Sequence, residues 1–298
     1  MTTSTPVTPA PADGIRSVEL ELTGACNLAC THCCTDSSPQ ANAGAMTLID
    51  WQRVINDIAH ARIPAVQFIG GEPTLSPHLP ALIDHALSRG LGVEVYSNLV
   101  HIRPSLWGRF ERDGVRLATS YYSDDPTQHE QITGGRGSHG RTLANIREAL
   151  ARGIPLRVGI VRVIEGQRVE QAEAELRRLG VDNIRIDRTR KVGRAAENGA
   201  PAGMEELCGR CYHQRAAVGP DGEVYGCILS RDFPTGNVRE ERLPDIFAGT
   251  RWVETAAKVP MAADACPPDD SGDCDPANTE ACDPAYDVAP PPSLGVVA

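Results

Sequence analysis

The run "SVELELT" (17–23) leads without a break into "GACNLACTHCC" (24–34), and the reading of this junction decides the fold. The first part is β-like. The second holds four of the chain's ten cysteines, Cys26, Cys30, Cys33 and Cys34, within nine residues. Five further β-like runs follow: "AVQFIGG" (65–71), "GVEVYSN" (92–98), "RLATSYY" (116–122), "PLRVGIVRV" (155–163) and "VDNIRID" (181–187). Amphipathic stretches separate them. In "LIDWQRVINDIAHA", Leu48, Trp51, Val54, Ile55 and Ile58 recur at three- and four-residue steps, one face of a helix. "RTLANIREALARG" reads the same way, and Gly90 and Gly153 stand where helices should stop. Strand followed by helix, repeated, implies parallel strands joined by right-handed crossovers. Six units are too few for a closed eight-stranded barrel, so the expected class is α/β, a partial (β/α)6 barrel with a small Cys-rich C-terminal extension. Chemistry in such folds gathers at the carboxyl ends of the strands, where this cysteine loop lies.

Composition narrows the function. The 298 residues can bury one large core, or one core with an appendage. No run approaches the roughly 20 apolar residues of a membrane span, and "MTTSTPVTPAPADG" has neither the basic nor the apolar region of a secretory signal. Residues 1–16 read as a disordered arm. A cytoplasmic location is expected, where thiols stay reduced and clustered cysteines point to metal or catalysis rather than a disulfide framework. A net charge of −10 argues against a nucleic-acid partner, which needs a basic face. Much of that charge is local: the last 38 residues, from Met261, hold eight Asp and Glu and no Lys or Arg.

Read by spacing alone, Cys26-x3-Cys30-x2-Cys33 leaves two options. A structural zinc site would want four ligands, usually as two short pairs. Three thiolates could instead hold an iron–sulfur cluster with one iron left open for a substrate or cofactor. The triplet, with His32 before its last cysteine, resembles the CxxxCxΦC signature of the radical SAM superfamily. Gly70-Gly71-Glu72-Pro73, at the end of the second strand, resembles that family's second mark. "SYYSDDPTQHEQITGGRGSHGRTLANI" (120–146) is similar to the segment after the fourth strand of its peptide and carbohydrate enzymes. The likeness covers about residues 17 to 195. It implies that Cys26, Cys30 and Cys33 ligate a 4Fe-4S cluster whose fourth iron chelates S-adenosyl-L-methionine, which is cleaved to a 5′-deoxyadenosyl radical that takes a substrate hydrogen. On this resemblance Gly70 and Gly71 give room near the methionine moiety, Glu72 of the Gly-Gly-Glu-Pro73 motif receives its ammonium, Ser97 and Asn98 contact the ribose, and His32 lies near the adenine. Cys34 is left over: a packed small side chain, or alternatively a hydrogen donor.

A second cysteine set begins after residue 195. Cys208-x2-Cys211, then Gly222 and Cys227, resembles the opening of a SPASM or twitch extension, with a hairpin signalled at Pro220-Asp221-Gly222. That resemblance implies an auxiliary 4Fe-4S cluster on Cys208, Cys211 and Cys227; a zinc knuckle is the structural alternative. The family pattern then lapses. Cys266, Cys274 and Cys282 remain, too few for two fully ligated four-iron clusters, so one of them, or a substrate, is the expected fourth ligand. The domains implied are the arm, a core over 17–195, the auxiliary region over 196–260 with one helix around 242–257, and an acidic Pro/Cys-rich tail over 261–298.

Weaker candidates are Arg185, Arg188, Arg190 and Arg194 after the sixth strand, as forks for carboxylates or simply a solvated basic segment. Asp124, Asp125, His129 and Asp187 are placed for acid–base work or, more plainly, for capping and loop hydrogen bonds. The layout resembles an enzyme that modifies a ribosomally made peptide by crosslinking or epimerisation. The competing class is dehydrogenation or epimerisation of a sugar or aminocyclitol, and a polycationic substrate would suit the acidic balance. The family implies a reductant such as flavodoxin or ferredoxin. Only about 16 residues precede the first strand, so a peptide substrate would dock directly or through a separate leader-binding protein.

Overall fold

The computed structural model describes residues 14–196, 201 and 203–259. Cys266, Cys274 and Cys282, like the arm and the acidic tail, lie outside the described residues. Five strand–helix units and a sixth strand run in chain order. Strand β1 (Ser17–Glu21) is followed by α1 (Leu48–His60), β2 (Ala65–Ile69), α2 (Leu79–Ser88), β3 (Gly92–Tyr96) and α3 (Pro104–Phe110). Then come β4 (Val115–Ser120), α4 (Pro126–Thr133), α5 (Ser138–Ala151), β5 (Leu156–Arg162), α6 (Val169–Arg178) and β6 (Asn183–Arg188). All six strands pair in parallel with their sequence neighbours, forming an open, barrel-like α/β sheet.

Local chemistry explains the elements. Helix α1 opens with a capping box in which Thr47 and Asp50 satisfy each other's backbone N–H groups. Its apolar stripe, Trp51, Val54, Ile55 and Ile58, is fully buried. Gly90 and Gly153 follow α2 and α5 at φ of +77° and +68°, the left-handed conformation that ends a helix.

Two features depart from the sequence reading. Strand β7 (Arg215–Val218) pairs in parallel with β1, and β8 (Glu223–Tyr225) and β9 (Gly236–Asn237) continue the sheet antiparallel. The Cys-rich region therefore extends the same nine-stranded sheet, in the order β6-β5-β4-β3-β2-β1-β7-β8-β9. Next, the helix expected over 242–257 is two, α7 (Leu243–Ala248) and α8 (Thr250–Ala256), separated by an extended Gly249. Glycine is the poorest helix former after proline, which is why the break falls there.

The two faces of the strands differ. Val18, Leu20, Val66, Phe68, Val93 and Val95 are buried in the apolar core with the α1 stripe. The alternate residues Glu19, Gln67 and Glu94 stand in register across β1, β2 and β3 and are also buried. Arg157 of β5 forks onto both oxygens of Glu94 at 3.1 and 2.8 Å, and Gln67 donates to Glu94 as well. A barrel floored by paired charges is built to hold something polar above it.

Candidate active site

The loops at the carboxyl ends of the strands enclose a cavity of about 350 Å³. The β-like runs of β1 to β4 extend about two residues past the strands themselves, and among those trailing residues Gly70, Gly71, Asn98 and Tyr122 line the cavity. Leaving the ladder frees their backbone and side chains for loop-to-loop contacts.

Cys26, Cys30 and Cys33 all line the cavity and are free thiols. Backbone N–H groups point at the sulfurs: Leu28 donates to Cys26 Sγ at 3.4 Å and Ser37 to Cys33 Sγ at 3.3 Å. The Asn98 amide adds a longer contact to Cys26 Sγ at 3.7 Å. Burial raises the Cys26 thiol to about 11 and the Cys30 thiol to about 12, with neighbouring thiols adding to both. Metal that binds them must displace protons. Among the described residues no three Cys, His, Asp or Glu side chains converge as tightly as the ligands of a single ion. Three thiols on the wall of one cavity, two of them with N–H donors on sulfur, suit the donor set of a 4Fe-4S cluster.

The loop is fastened from outside. Ala29 N–H and Thr31 N–H donate to the carbonyls of Thr133 and Ile132 at the end of α4, at 3.1 and 2.9 Å. Gly134, at φ +65°, passes against Ala29, where a Cβ would stand 2.8 Å from that carbonyl. From the other side Arg194 reaches the loop, as set out below.

Gly70 and Gly71 line the cavity, but the crowding they relieve is internal. A Cβ on Gly71 would lie 2.2 Å from the Ala25 carbonyl oxygen, and one on Gly70 2.6 Å from that of Thr23. Gly71 N–H donates to the Thr23 carbonyl at 2.7 Å and Glu72 N–H to the Ala25 carbonyl at 2.9 Å. The glycines let the loop after β2 lie directly against the cysteine loop.

Glu72, Pro73 and Ser97 are buried and do not line the cavity. The Glu72 carboxylate accepts from Thr74 N–H and Oγ1 at 3.1 and 2.6 Å, from Ser97 Oγ at 2.8 Å and from Asn98 N–H at 2.8 Å. Burial pushes its carboxyl above the usual range, against the pull of those bonds. Glu72 thus ties the loop after β2 to the loop after β3, and Ser97 is committed to it. Asn98 does line the cavity; its amide spans Asn27 Oδ1 at 2.7 Å and Val100 N–H at 2.9 Å. Thr142 and Asn145 of α5 anchor this loop through the Asn98 and Leu99 carbonyls, at 2.9 and 2.6 Å.

His32 lies on the cavity wall, edge-on to Tyr122 at 5.0 Å. Its Nδ1 is buried without a hydrogen-bond partner. Burial, then the Arg194 charge, lowers its pKa to about 4, so it is a neutral ring facing the space. His129 is on the same wall, with Nδ1 accepting the Tyr122 N–H at 3.4 Å. Asp125 caps α4 and Asp124 pairs with Arg168, the plainer of their two sequence readings. Asp187 lines the cavity and pairs with Arg190 at 3.3 Å. Arg188 also faces the cavity and bonds Glu206 at 2.9 Å. Arg185 does not line it.

The second cysteine set reaches the same cavity from β7 and β8. Cys208 is buried and on its wall, and the partly buried Cys34 lines it too; desolvation, then the Cys33 sulfur, pushes the Cys34 thiol up to about 12. The expected hairpin forms, with Gly222 at φ +91°, and brings Cys211 and Cys227 to a Cα separation of 5.2 Å. The two are joined as a disulfide, so ligation by this pair requires its reduction. The residues that sequence reasoning missed, Arg157, Arg215, Tyr96 and Tyr122, belong to strands and strand ends and carry no motif.

This fold and thiol geometry meet a known class. The family model of the radical SAM superfamily matches residues 20–180, more than half of the chain, and that of an iron–sulfur cluster-binding domain, SPASM, matches residues 202–275. The chain belongs to the radical SAM superfamily. Among curated proteins it is similar to the mycofactocin maturase MftC of Mycobacterium ulcerans, 32% identical over 181 residues, which are 59% of this chain and 48% of the relative. It is also similar to the PqqA peptide cyclase of Xanthomonas campestris pv. campestris, 30% identical over 191 residues, 62% of this chain and 50% of the relative. The chain thus spans about half the length of the curated relatives it matches. Among solved structures, Streptococcus suis SuiB bound to S-adenosylmethionine shares the fold, with a TM-score of 0.69 at 14% identity over 82% of this chain and 68% of that one.

Proposed function

We propose that this chain is a radical S-adenosyl-L-methionine enzyme that modifies a peptide by crosslinking or epimerisation. The observation that carries the reading is the cavity on which Cys26, Cys30 and Cys33 open as free thiols, with N–H groups aimed at the Cys26 and Cys33 sulfurs. A 4Fe-4S cluster bound there supplies the electron that cleaves S-adenosyl-L-methionine to a hydrogen-abstracting 5′-deoxyadenosyl radical. The chain's own residues hold and shield. Gly70, Gly71 and Glu72 fix the loop that borders the methionine side, Asn98 borders the ribose side, and neutral His32 offers an open ring nitrogen for the adenine. Once reduced, Cys208, Cys211 and Cys227 hold an auxiliary 4Fe-4S cluster, its fourth ligand coming from Cys266, another tail cysteine or the substrate.

Peptide is favoured over aminocyclitol by the relatives' names: a PqqA peptide cyclase, and a SuiB structure bound to the precursor peptide SuiA. Charge at the cavity does not discriminate, because Arg157, Arg188, Arg190 and Arg215 of its lining each face a carboxylate, Glu94, Glu206, Asp187 and Glu19. A flavodoxin or ferredoxin would supply the electron, and the peptide would dock directly or through a separate leader-binding protein. No helix among the described residues is long and apolar enough to cross a membrane, which suits a cytoplasmic enzyme.

The test is anaerobic reconstitution after thiol reduction, followed by S-adenosyl-L-methionine and dithionite. Wild type should hold about eight irons and release 5′-deoxyadenosine; Cys26/Cys30/Cys33→Ala should hold about four and release none. With a peptide substrate, a mass loss of two hydrogens marks a crosslink, and solvent deuterium uptake at constant mass in light water marks epimerisation. Iron-loaded wild type that never cleaves S-adenosyl-L-methionine would end the reading.

A further inference from the structure

The strap after β6 does more than lead the chain away. Arg194 N–H donates to the Cys33 carbonyl at 2.9 Å. Its guanidinium donates to the Cys30 carbonyl, to the Ser37 carbonyl at 2.6 Å, and to the Asp36 carboxylate at 3.1 Å. Gly193, at φ +60°, lies so close that a Cβ there would stand 2.5 Å from the carbonyl oxygens of Cys33 and Cys34. One arginine therefore grips the irregular loop on both sides of Cys33, more than 150 residues away in sequence.

We infer that Arg194 is a positioning residue: it locks the loop of Cys30 and Cys33 into its ligand-ready conformation before any cluster is present. The loop has no regular secondary structure between Cys30 and Ser37. Without the guanidinium the Cys30 and Ser37 carbonyls lose their reach across to β6. The fork matters because three acceptors diverge around it, and a lysine ammonium is a point charge that cannot span them. The Asp36 contact contributes least, because that carboxylate is 73% exposed and surface pairs are worth little. The same contacts remove Arg194 from the set of arginines open to a substrate carboxylate.

The inference rests on the reading that Cys26, Cys30 and Cys33 hold a cluster, and its test separates the two. In full-length, iron-free, reduced protein, alkylation of individual thiols is followed by peptide mass mapping, with buried Cys208 as the internal reference. Arg194→Gln should label Cys30 and Cys33 about tenfold faster than wild type, the opening expected from losing two net hydrogen bonds. Arg194→Lys should fall in between, and Asp36→Asn should stay within about twofold of wild type. Cys208 should not change; if it accelerates in step in Arg194→Gln, global unfolding is responsible, and the Arg194→Lys variant decides. After reconstitution, Arg194→Gln should lose iron to a chelator faster, and the reduced cluster should show altered g values and a lower midpoint potential, since a positive charge beside it is gone. Unchanged labelling of Cys30 and Cys33 in both variants overturns the inference. Wild type that binds no iron at these cysteines overturns the cluster reading while the labelling rates still measure the strap.

Discussion

Removing the Glu72 carboxylate gives the sharpest test of how the site is assembled. Four donors converge on it: Thr74 N–H, Thr74 Oγ1, Ser97 Oγ and Asn98 N–H. In Glu72→Ala the two hydroxyls can turn to other acceptors, but the two backbone N–H groups cannot. Each buried N–H left without an acceptor costs about 1–3 kcal/mol, so the substitution should destabilise by about 4 kcal/mol. Glu72→Gln keeps one oxygen and turns its amide NH2 against one of those N–H donors, costing about 2 kcal/mol. Ser97→Ala removes one hydroxyl donor from the carboxylate and leaves the buried Leu99 N–H, which Ser97 Oγ accepts at 3.0 Å, without its acceptor, and should cost about 2 kcal/mol. Urea unfolding of the iron-free, reduced protein reads all three as midpoint shifts at constant slope. Because Asn98 also contacts Cys26 Sγ, Glu72→Ala should shed reconstituted iron faster than wild type. A Glu72→Ala midpoint within about 0.5 kcal/mol of wild type would refute the reasoning. It would mean that the carboxylate is free to serve a ligand.

Other substitutions probe the remaining contacts. Gly71→Ala forces a Cβ to 2.2 Å from the Ala25 carbonyl and should cost about 3 kcal/mol by denaturant titration, with impaired iron retention. Arg157→Met removes the fork from Glu94, which is 0% exposed and keeps Arg116 at 3.4 Å, and should lower stability by about 2 kcal/mol in the same assay. His129 is depressed to about 3 by burial and then by His139, so the folded state prefers its neutral form. That contribution is fully present above the unfolded value of about 6.5 and falls away as pH drops toward 3. Stability should therefore decline by at most about 1.4 kcal/mol per pH unit across that window, and His129→Gln should flatten the slope by one proton. Reconstitution without prior thiol reduction should leave Cys211–Cys227 bonded and the iron near about four per chain, rising to about eight after reduction.

The six strands and their helices were legible because each carries its own apolar period and its own stop signal. So was the cysteine loop, whose spacing needs no tertiary information. The misses share a cause. Strand β7 is four residues long, "RAAV", and is a strand because the free side of β1 accepts it, not because of its own pattern. The Glu19, Gln67 and Glu94 layer is invisible until the register sets those side chains beside Arg157. Glu72 and Ser97 stand at positions the family resemblance marked for S-adenosyl-L-methionine, yet their hydrogen bonds run to each other. Arg194 reads in sequence as one of four basic residues, and its reach to Cys30 and Ser37 exists only once the segment after β6 meets the loop after β1.

The pairing of β7 with β1 has a consequence for synthesis. Strand β1 emerges first from the ribosome and borders β2 on one side, while its other edge waits for a segment nearly 200 residues later. Until then Glu21 lacks Arg231, 2.6 Å away in the finished protein, and Glu19 lacks both Arg215 and the Ile228 N–H. A nascent chain halted near residue 195 would expose a bare strand edge beside two uncompensated carboxylates, an edge open to pairing with other chains. The half that carries Cys26, Cys30 and Cys33 thus depends for its completion on a segment translated later, and aggregation of truncated products is the cost that arrangement carries.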